Sequence, residues 1–169
     1  MSPNLSVSFT ITNQKMTEKL AKLVSTIARP QDIISLEGTL GVGKSVFARA
    51  FIKNLCGKKE KVPSPTFTLV QTYDYQDKRD DIDKTIWHFD LYRIKTPEEV
   101  FELGIEDAFA SGISLIEWSK NMGAYLPLKR LEIKISMADD GTPHSNQKRI
   151  ITITSLHNAW DERLASLKL

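Results

Sequence analysis

The sequence has very little cysteine, almost no net charge and no long apolar run. Its one cysteine, Cys56, cannot form an internal disulfide bond and excludes a metal site built from several cysteines. The 23 basic and 21 acidic residues leave a net charge of +2, too small to predict direct binding of nucleic acid. No apolar run approaches the ~20 residues that cross a bilayer, and the first residues do not read as a signal peptide. We therefore expect a cytoplasmic protein without a membrane span.

The chain of 169 residues has a length and an apolar content typical of one globular domain, which we expect to span residues 1–169. Apolar periodicity predicts strands at residues 6–12, 33–37, 67–75, 85–92, 113–117, 131–137 and 149–154. Helices are predicted after Asn13, from Lys44, from Pro97 and over residues 158–167. The charged segment 76–84 and the polar segment 138–146 are predicted to be loops, and Cys56 is interpreted as a small core residue.

The segment from Gly38 to Ser45 reads GTLGVGKS, directly after a predicted strand and at the start of a predicted helix. Glycines let backbone amides approach phosphate oxygens, and the helix N-terminus adds a favourable dipole. In this pattern the lysine contacts the β- and γ-phosphates and the hydroxyl binds Mg²⁺. The sequence therefore predicts that ATP and Mg²⁺ bind at Gly38, Thr39, Leu40, Gly41, Val42, Gly43, Lys44, Ser45 and Val46.

Strands that alternate with helices in the first half predict an α/β fold, a three-layer P-loop NTPase-like domain. The predicted hairpins add antiparallel strands to its mixed, mainly parallel sheet. Hydrolysis of a Mg-nucleotide usually needs an acid at the end of a neighbouring strand. Asp90 and Glu117 each end an apolar run and are the candidates. Thr66 follows two prolines, in a region that often senses the γ-phosphate in this class of protein. His88 alone is interpreted as a packed strand residue.

Together these segments resemble the TsaE family, formerly called YjeE, of small ATPases in bacterial tRNA threonylcarbamoyladenosine biosynthesis. The matching segments are LEGTLGVGKS at 36–45, SPTFTLV at 64–70, WHFDLYR at 87–93, EE at 98–99 with LG at 103–104, and IEW at 116–118. They lie in the family's order and cover about residues 33 to 119. HFDLYR combined with SPTF and IEW is far more specific than the phosphate loop alone.

The resemblance implies a role for each site residue in ATP hydrolysis. Lys44 and the loop amides hold the phosphates, and Ser45 and Glu117 bind Mg²⁺. Asp90 supports hydrolysis, either as a base or by holding metal-bound water. Thr66 belongs to a switch-like loop, Trp118 lies beside the site, and residues 13–17 reach the base.

The resemblance also implies partners, TsaB and TsaD. TsaD transfers the threonylcarbamoyl group to adenosine 37 of tRNA, so tRNA contacts this chain only indirectly. Three positions depart from the usual family pattern: Thr39 replaces an aspartate, Val42 an alanine and Ser45 a threonine. Ser45 keeps the hydroxyl that Mg²⁺ needs.

Two other functions fit the phosphate loop. A small-molecule kinase would need an acceptor pocket and usually an arginine-rich lid, whereas Arg49, Arg79, Arg93 and Arg130 are scattered. A slow nucleotide-dependent interaction switch would use the second half of the chain for docking. A GTPase is disfavoured because no Asn-Lys-x-Asp segment is present.

Overall fold

The computed structural model describes residues 5–139 and 148–167. Seven strands form one sheet in the order β1-β7-β6-β2-β5-β4-β3. Strands β6, β2, β5 and β4 are parallel neighbours at its centre, and β7, β1 and β3 are added antiparallel. In chain order the strands are β1 Ser6–Ile11, β2 Ile33–Glu37, β3 Val70–Asp77, β4 Ile82–Asp90, β5 Ile113–Glu117, β6 Leu131–Met137 and β7 Arg149–Ser155. The predicted three-layer α/β architecture with a mixed sheet is confirmed.

Helices cover both faces of this sheet. The α-helices are α1 Gln14–Ile27, α2 Lys44–Cys56, α3 Ile105–Ser111 and α4 Asp161–Ala165. Among the described residues, 3₁₀ helices span Pro97–Phe101, Ser119–Tyr125 and Asn158–Trp160. One apolar core joins α1, α2 and α4 to the sheet, and a second joins α3 and the first two 3₁₀ helices to the opposite face. Within residues 5–139 and 148–167, no helix is long and apolar enough to cross a membrane.

The central strands β2 and β5 are buried along their whole length. Parallel strands covered on both faces are expected to read as continuous apolar runs rather than as alternating ones. Their last residues are nevertheless Glu37 and Glu117, each a carboxylate at the carboxyl end of a buried parallel strand. That edge of an open α/β sheet is where ligands usually bind.

Several predicted boundaries are wrong. Residues 67–69 were predicted as strand but form a turn, because Leu69 has a φ of 65° and β3 begins only at Val70. The helix predicted from Pro97 is a 3₁₀ helix, and a capping box between Thr96 and Glu99 caps its N-terminus. The closing helix is split into a 3₁₀ turn and α4, which ends at Ala165.

The two predicted loops have different outcomes. Strands β3 and β4 extend into the charged segment 76–84, so only residues 78–81 connect them. Asp77 accepts two side-chain hydrogen bonds from Arg79 in this tight connection. Of the predicted loop 138–146, residues 140–146 lie outside the described residues.

Candidate active site

The phosphate-loop segment connects the end of β2 to the first residue of α2. At Gly38, where φ is +147°, a Cβ atom would overlap the Ile135 carbonyl oxygen of β6 and lie 2.7 Å from Val42 Cγ1. At Gly41, where φ is +74°, a Cβ atom would meet no atom within 4 Å. The two glycines therefore serve different purposes. Gly38 allows the loop to pack against the sheet, and Gly41 allows it to turn.

Lys44 begins α2 and its side chain folds back over the loop. Its Nζ donates hydrogen bonds to the carbonyl oxygens of Gly38, at 2.7 Å, and of Thr39, at 2.8 Å. The same Nζ lies 4.1 Å from the centroid of the Trp118 ring, a distance typical of a cation–π contact. The ammonium group is thus held at the loop by three contacts, although only 4% of the residue is exposed.

Acidic residues surround this buried lysine. Burial lowers the pKa of Lys44, and the negative charges of Glu117, Asp90 and Glu37 act in the opposite direction. Glu37 is itself buried and accepts a hydrogen bond from the Ser119 hydroxyl. An ammonium group that has lost hydration in this way is stabilised by any anion that enters the site.

Ser45 and Glu117 form the second element of the site. Ser45 is the second residue of α2, and its hydroxyl donates to Glu117 Oε2 at 3.1 Å. The other carboxylate oxygen, Oε1, lies 2.8 Å from His88 Nε2. The two residues that the family resemblance paired as metal ligands are therefore hydrogen-bonded, although 72 positions separate them along the chain.

Asp90 and Thr66 form the third element. The Thr66 hydroxyl donates to Asp90 Oδ2 at 3.0 Å, and the backbone amide of Tyr92 donates to Asp90 Oδ1 at 3.1 Å. The Asp90 amide in turn donates to the carbonyl oxygen of Leu69, which ties the loop carrying Thr66 to the end of β4. Both oxygens of the carboxylate are thus oriented by fixed donors.

A cavity of about 210 Å³ connects these elements. It is lined by Leu40, Gly41, Gly43, Lys44, Ser45, Val46, Thr66, Asp90, Tyr92, Glu117 and Trp118. Three of the predicted nucleotide-binding residues do not line it. Gly38 and Thr39 contribute carbonyl oxygens to Lys44, and the Val42 side chain points into the core, where it is 2% exposed.

A second cavity of about 270 Å³ lies on the other side of the loop. It is lined by Gln14, Thr17, Gly41, Gly43, Val46 and Arg149. Gln14 and Thr17 come from the segment 13–17 that was predicted to reach the base, whereas Asn13 caps α1 by accepting from the Met16 amide. Arg149 Nε donates to the carbonyl oxygen of Val42 at 2.7 Å.

The donor set in the first cavity fits a magnesium ion. Mg²⁺ typically takes one or two protein oxygens and completes its shell with phosphate oxygens and water. Ser45 Oγ and Glu117 Oε2 provide such a pair. In the part of the chain that the structure describes, no three His, Cys, Asp or Glu side chains cluster as a self-sufficient metal site. Cys56 is remote from this chemistry, and burial raises the pKa of its thiol to about 12.

Comparison with known proteins identifies the family. The family model described as "Threonylcarbamoyl adenosine biosynthesis protein TsaE" matches residues 11–149. The chain belongs to the TsaE family. A curated TsaE protein from Rickettsia conorii is 40% identical over 148 residues, which cover 88% of this chain and 78% of that protein. The TsaE protein of Bacillus subtilis is 35% identical over 150 residues, covering 88% of this chain and 85% of that protein.

A crystal structure of YdiB from Bacillus subtilis has the same architecture. The TM-score is 0.76 at 28% identity, and the alignment covers 98% of this chain and 95% of that chain. The chain therefore has the P-loop NTPase fold of the TsaE family, which functions in threonylcarbamoyladenosine biosynthesis.

Three residues that contact the phosphate loop, or the glutamates at the ends of β2 and β5, were not predicted from the sequence as part of the site. His88, interpreted as a packed strand residue, touches Glu117, and Arg149 contacts the loop backbone at Val42. Ser119 donates to Glu37 at the end of β2. None of the three lies near its partner in the sequence. Only His88, next to the aromatic residues preceding Asp90, had a local signal: its position two residues before an acid places both on one strand face.

Proposed function

We propose that this chain binds and hydrolyses ATP with Mg²⁺, as the ATPase subunit required for threonylcarbamoylation of adenosine 37 in tRNA. The observation that carries the proposal is the meeting of Lys44, Ser45, Glu117 and Asp90 around one cavity at the carboxyl end of parallel strands. A phosphate-binding loop supplies affinity for a triphosphate, and two acids on neighbouring strands supply what phosphoryl transfer to water requires.

Lys44 holds the β- and γ-phosphates in this proposal. Lys44 is buried, so phosphate oxygens would replace hydration that burial has removed from its ammonium group. The backbone amides of residues 38–43 and the N-terminus of α2 share the remaining negative charge. Trp118 packs beside Lys44 and limits the positions that its ammonium group can take.

Ser45 and Glu117 hold the divalent cation, and Asp90 acts on the attacking water. Mg²⁺, when bound, neutralises charge that develops on the phosphates during transfer. Asp90 has each oxygen fixed by one donor and keeps further lone pairs to orient a water molecule. Thr66 donates a hydrogen bond to Asp90 Oδ2, so the position of the Asp90 carboxylate depends on the conformation of the loop that carries Thr66.

The family and the surface around the cavity support a partner-coupled ATPase, with TsaB and TsaD as the partners. Phe67 is 84% exposed, Leu40 is 74% exposed and Tyr92 is 50% exposed, and all three lie on segments that border the phosphate site. Apolar side chains grouped at the mouth of a site favour contact with another protein. We infer that tRNA reaches the assembly through those partners, since this chain carries a charge of only +2.

Purified variants with and without the two partner proteins test the proposal. Lys44→Ala is expected to lose ATP binding, since amides alone poorly offset the triphosphate charge. Glu117→Ala and Asp90→Asn are expected to keep their fold and lose hydrolysis. Asp83→Asn changes a remote exposed carboxylate of β4 in the same way as Asp90→Asn and serves as the matched control.

Two measurements decide the outcome: ATP turnover, and the formation of modified tRNA in a reconstituted assay. Unchanged ATP affinity in Lys44→Ala would refute the phosphate site. Normal hydrolysis in both acid variants would refute the assignment of the acids. Phosphate transfer to a small acceptor, with no effect of the partners, would instead favour a kinase.

A further inference from the structure

A buried histidine contacts the proposed cation ligand from behind. His88 is 1% exposed, and its Nε2 lies 2.8 Å from Glu117 Oε1. Its other ring nitrogen, Nδ1, is also buried and has no hydrogen-bond partner among residues 5–139 and 148–167. Within that part of the chain, Glu117 is thus the only hydrogen-bond partner of the imidazole ring.

The polarity of this contact follows from the acid. A carboxylate that binds a cation is ionised and can only accept hydrogen bonds, so Nε2 carries the proton and donates it. Nδ1 then has a lone pair and no hydrogen, and an unpaired buried acceptor is tolerated better than an unpaired buried donor. The ring orientation is therefore set by the bond to Glu117 and by packing alone.

The pairing of β4 with β5 explains why His88 lies near both Asp90 and Glu117. In β4, Ile86, His88 and Asp90 alternate with Trp87 and Phe89, so the first three share one face of the sheet. Parallel pairing of β4 with β5 places Asp90 opposite Glu117 and His88 opposite Leu115. His88 therefore lies two residues before Asp90 on the same face of the sheet. From there its ring contacts the carboxylate of Glu117 on the neighbouring strand.

We propose that His88 is a positioning residue that holds Glu117 with a single oxygen presented to the divalent cation. This inference rests on the proposed function, in which Glu117 and Ser45 bind that cation. Oε1 is occupied by His88, whereas Oε2 faces Ser45 Oγ at 3.1 Å in the cavity. Without the histidine, the carboxylate could rotate and offer both oxygens. Mg²⁺ tolerates little departure from octahedral geometry, so this freedom would weaken binding.

Four substitutions at two positions separate this role from packing. His88→Phe keeps a ring but removes the donor. His88→Gln carries an amide nitrogen near the place of Nε2, whereas the shorter amide of His88→Asn lies nearer to Nδ1. Ser114→Ala removes a hydroxyl that is equally buried on β5, has no partner among the described residues and lies on the opposite face of the sheet from Glu117, so it is the control.

The probe is Mn²⁺ binding to each full-length variant in the presence of ADP, followed by electron paramagnetic resonance. ADP affinity in excess EDTA gives the metal-free readout. His88→Phe and His88→Asn are expected to lose about 10–100-fold in Mn²⁺ affinity, the usual effect of removing a group that orients a ligand. Their metal-free ADP affinity is expected to be unchanged. His88→Gln and Ser114→Ala are expected to bind Mn²⁺ like the unsubstituted protein.

Wild-type Mn²⁺ affinity in His88→Phe would overturn the inference, as would equal weakening in His88→Gln and His88→Asn. An equal loss of metal-free ADP affinity in all three would also overturn it, since the histidine would then support the whole pocket. If His88→Phe fails to fold, the difference in Mn²⁺ affinity between His88→Gln and His88→Asn still tests whether a donor at the place of Nε2 is required. Glu117→Ala separates the two proposals: retained Mn²⁺ affinity in that variant would refute the cation site itself.

Discussion

Replacing Gly38 by alanine should damage the protein far more than the same change at Gly41. Both residues have positive φ, so both replacements incur strain of about 1–2 kcal/mol. Only at Gly38 does the new methyl group overlap the Ile135 carbonyl oxygen and lie 2.7 Å from Val42 Cγ1. Forcing an extra carbon into a packed region typically adds about 1–3 kcal/mol. We expect Gly38→Ala to cost about 2–5 kcal/mol in total.

Urea unfolding at neutral pH, followed by circular dichroism, measures this difference. With a denaturant slope of about 1–3 kcal/mol/M, the unfolding midpoint of Gly38→Ala should fall by roughly 1–2 M. The midpoint of Gly41→Ala should fall by less than about 1 M. Equal midpoints for the two variants would refute the idea that the loop packs tightly on β6 at Gly38.

Nucleotide affinity gives an independent readout of the same change. The Gly38 carbonyl oxygen accepts a hydrogen bond from Lys44 Nζ. Displacing the loop from β6 would therefore move this oxygen and the ammonium group that it holds. We expect Gly38→Ala to bind ATP more weakly than Gly41→Ala under conditions where both are folded. The reverse order would show that the overlap is relieved without moving the loop.

Two further substitutions test contacts outside the cavity. The hydrogen bonds of Arg79 lower the pKa of Asp77 from 3.8 to about 2, so this pair stabilises the fold above pH 4 and the effect is lost as the pH falls towards 2. The stability gap between the wild type and Asp77→Asn in urea unfolding should therefore shrink from pH 5 to pH 2, and a constant gap would contradict this. Arg163 donates two hydrogen bonds to Asp32, and both side chains are nearly buried. Arg163→Met should cost about 3 kcal/mol and lower the melting temperature by roughly 6–12 °C, whereas an unchanged melting temperature would show that the pair is not stabilising.

The sequence was most informative where function constrains local pattern. The phosphate loop and strand β2 could be located residue by residue, because glycine spacing, a buried apolar run and a following helix all agree. The strand predicted to begin at residue 67 was wrong for a specific reason. Leu69 adopts a left-handed backbone conformation that its sequence gives no cause to expect, and its carbonyl oxygen is held by the Asp90 amide.

Contacts across the sheet were the least accessible from sequence. The resemblance pointed to Ser45 and Glu117 as a pair, but no pattern within β4 shows that His88 touches Glu117 rather than packing in the core. That contact depends on the parallel register of β4 and β5, which two distant segments define together. A histidine between tryptophan and phenylalanine is typical of a buried strand, whether its ring packs in the apolar core or contacts an acid on the next strand.

The strand order determines when the phosphate site can form during synthesis of the chain. Strand β2 pairs Ile33 with Ser114 and Ile34 with Leu131, partners that leave the ribosome roughly 80 and 100 residues later. At about 5–20 residues per second, the phosphate loop waits several seconds or more for the strands that support it. We therefore expect bound nucleotide to stabilise the fold only after both of these strands have been translated.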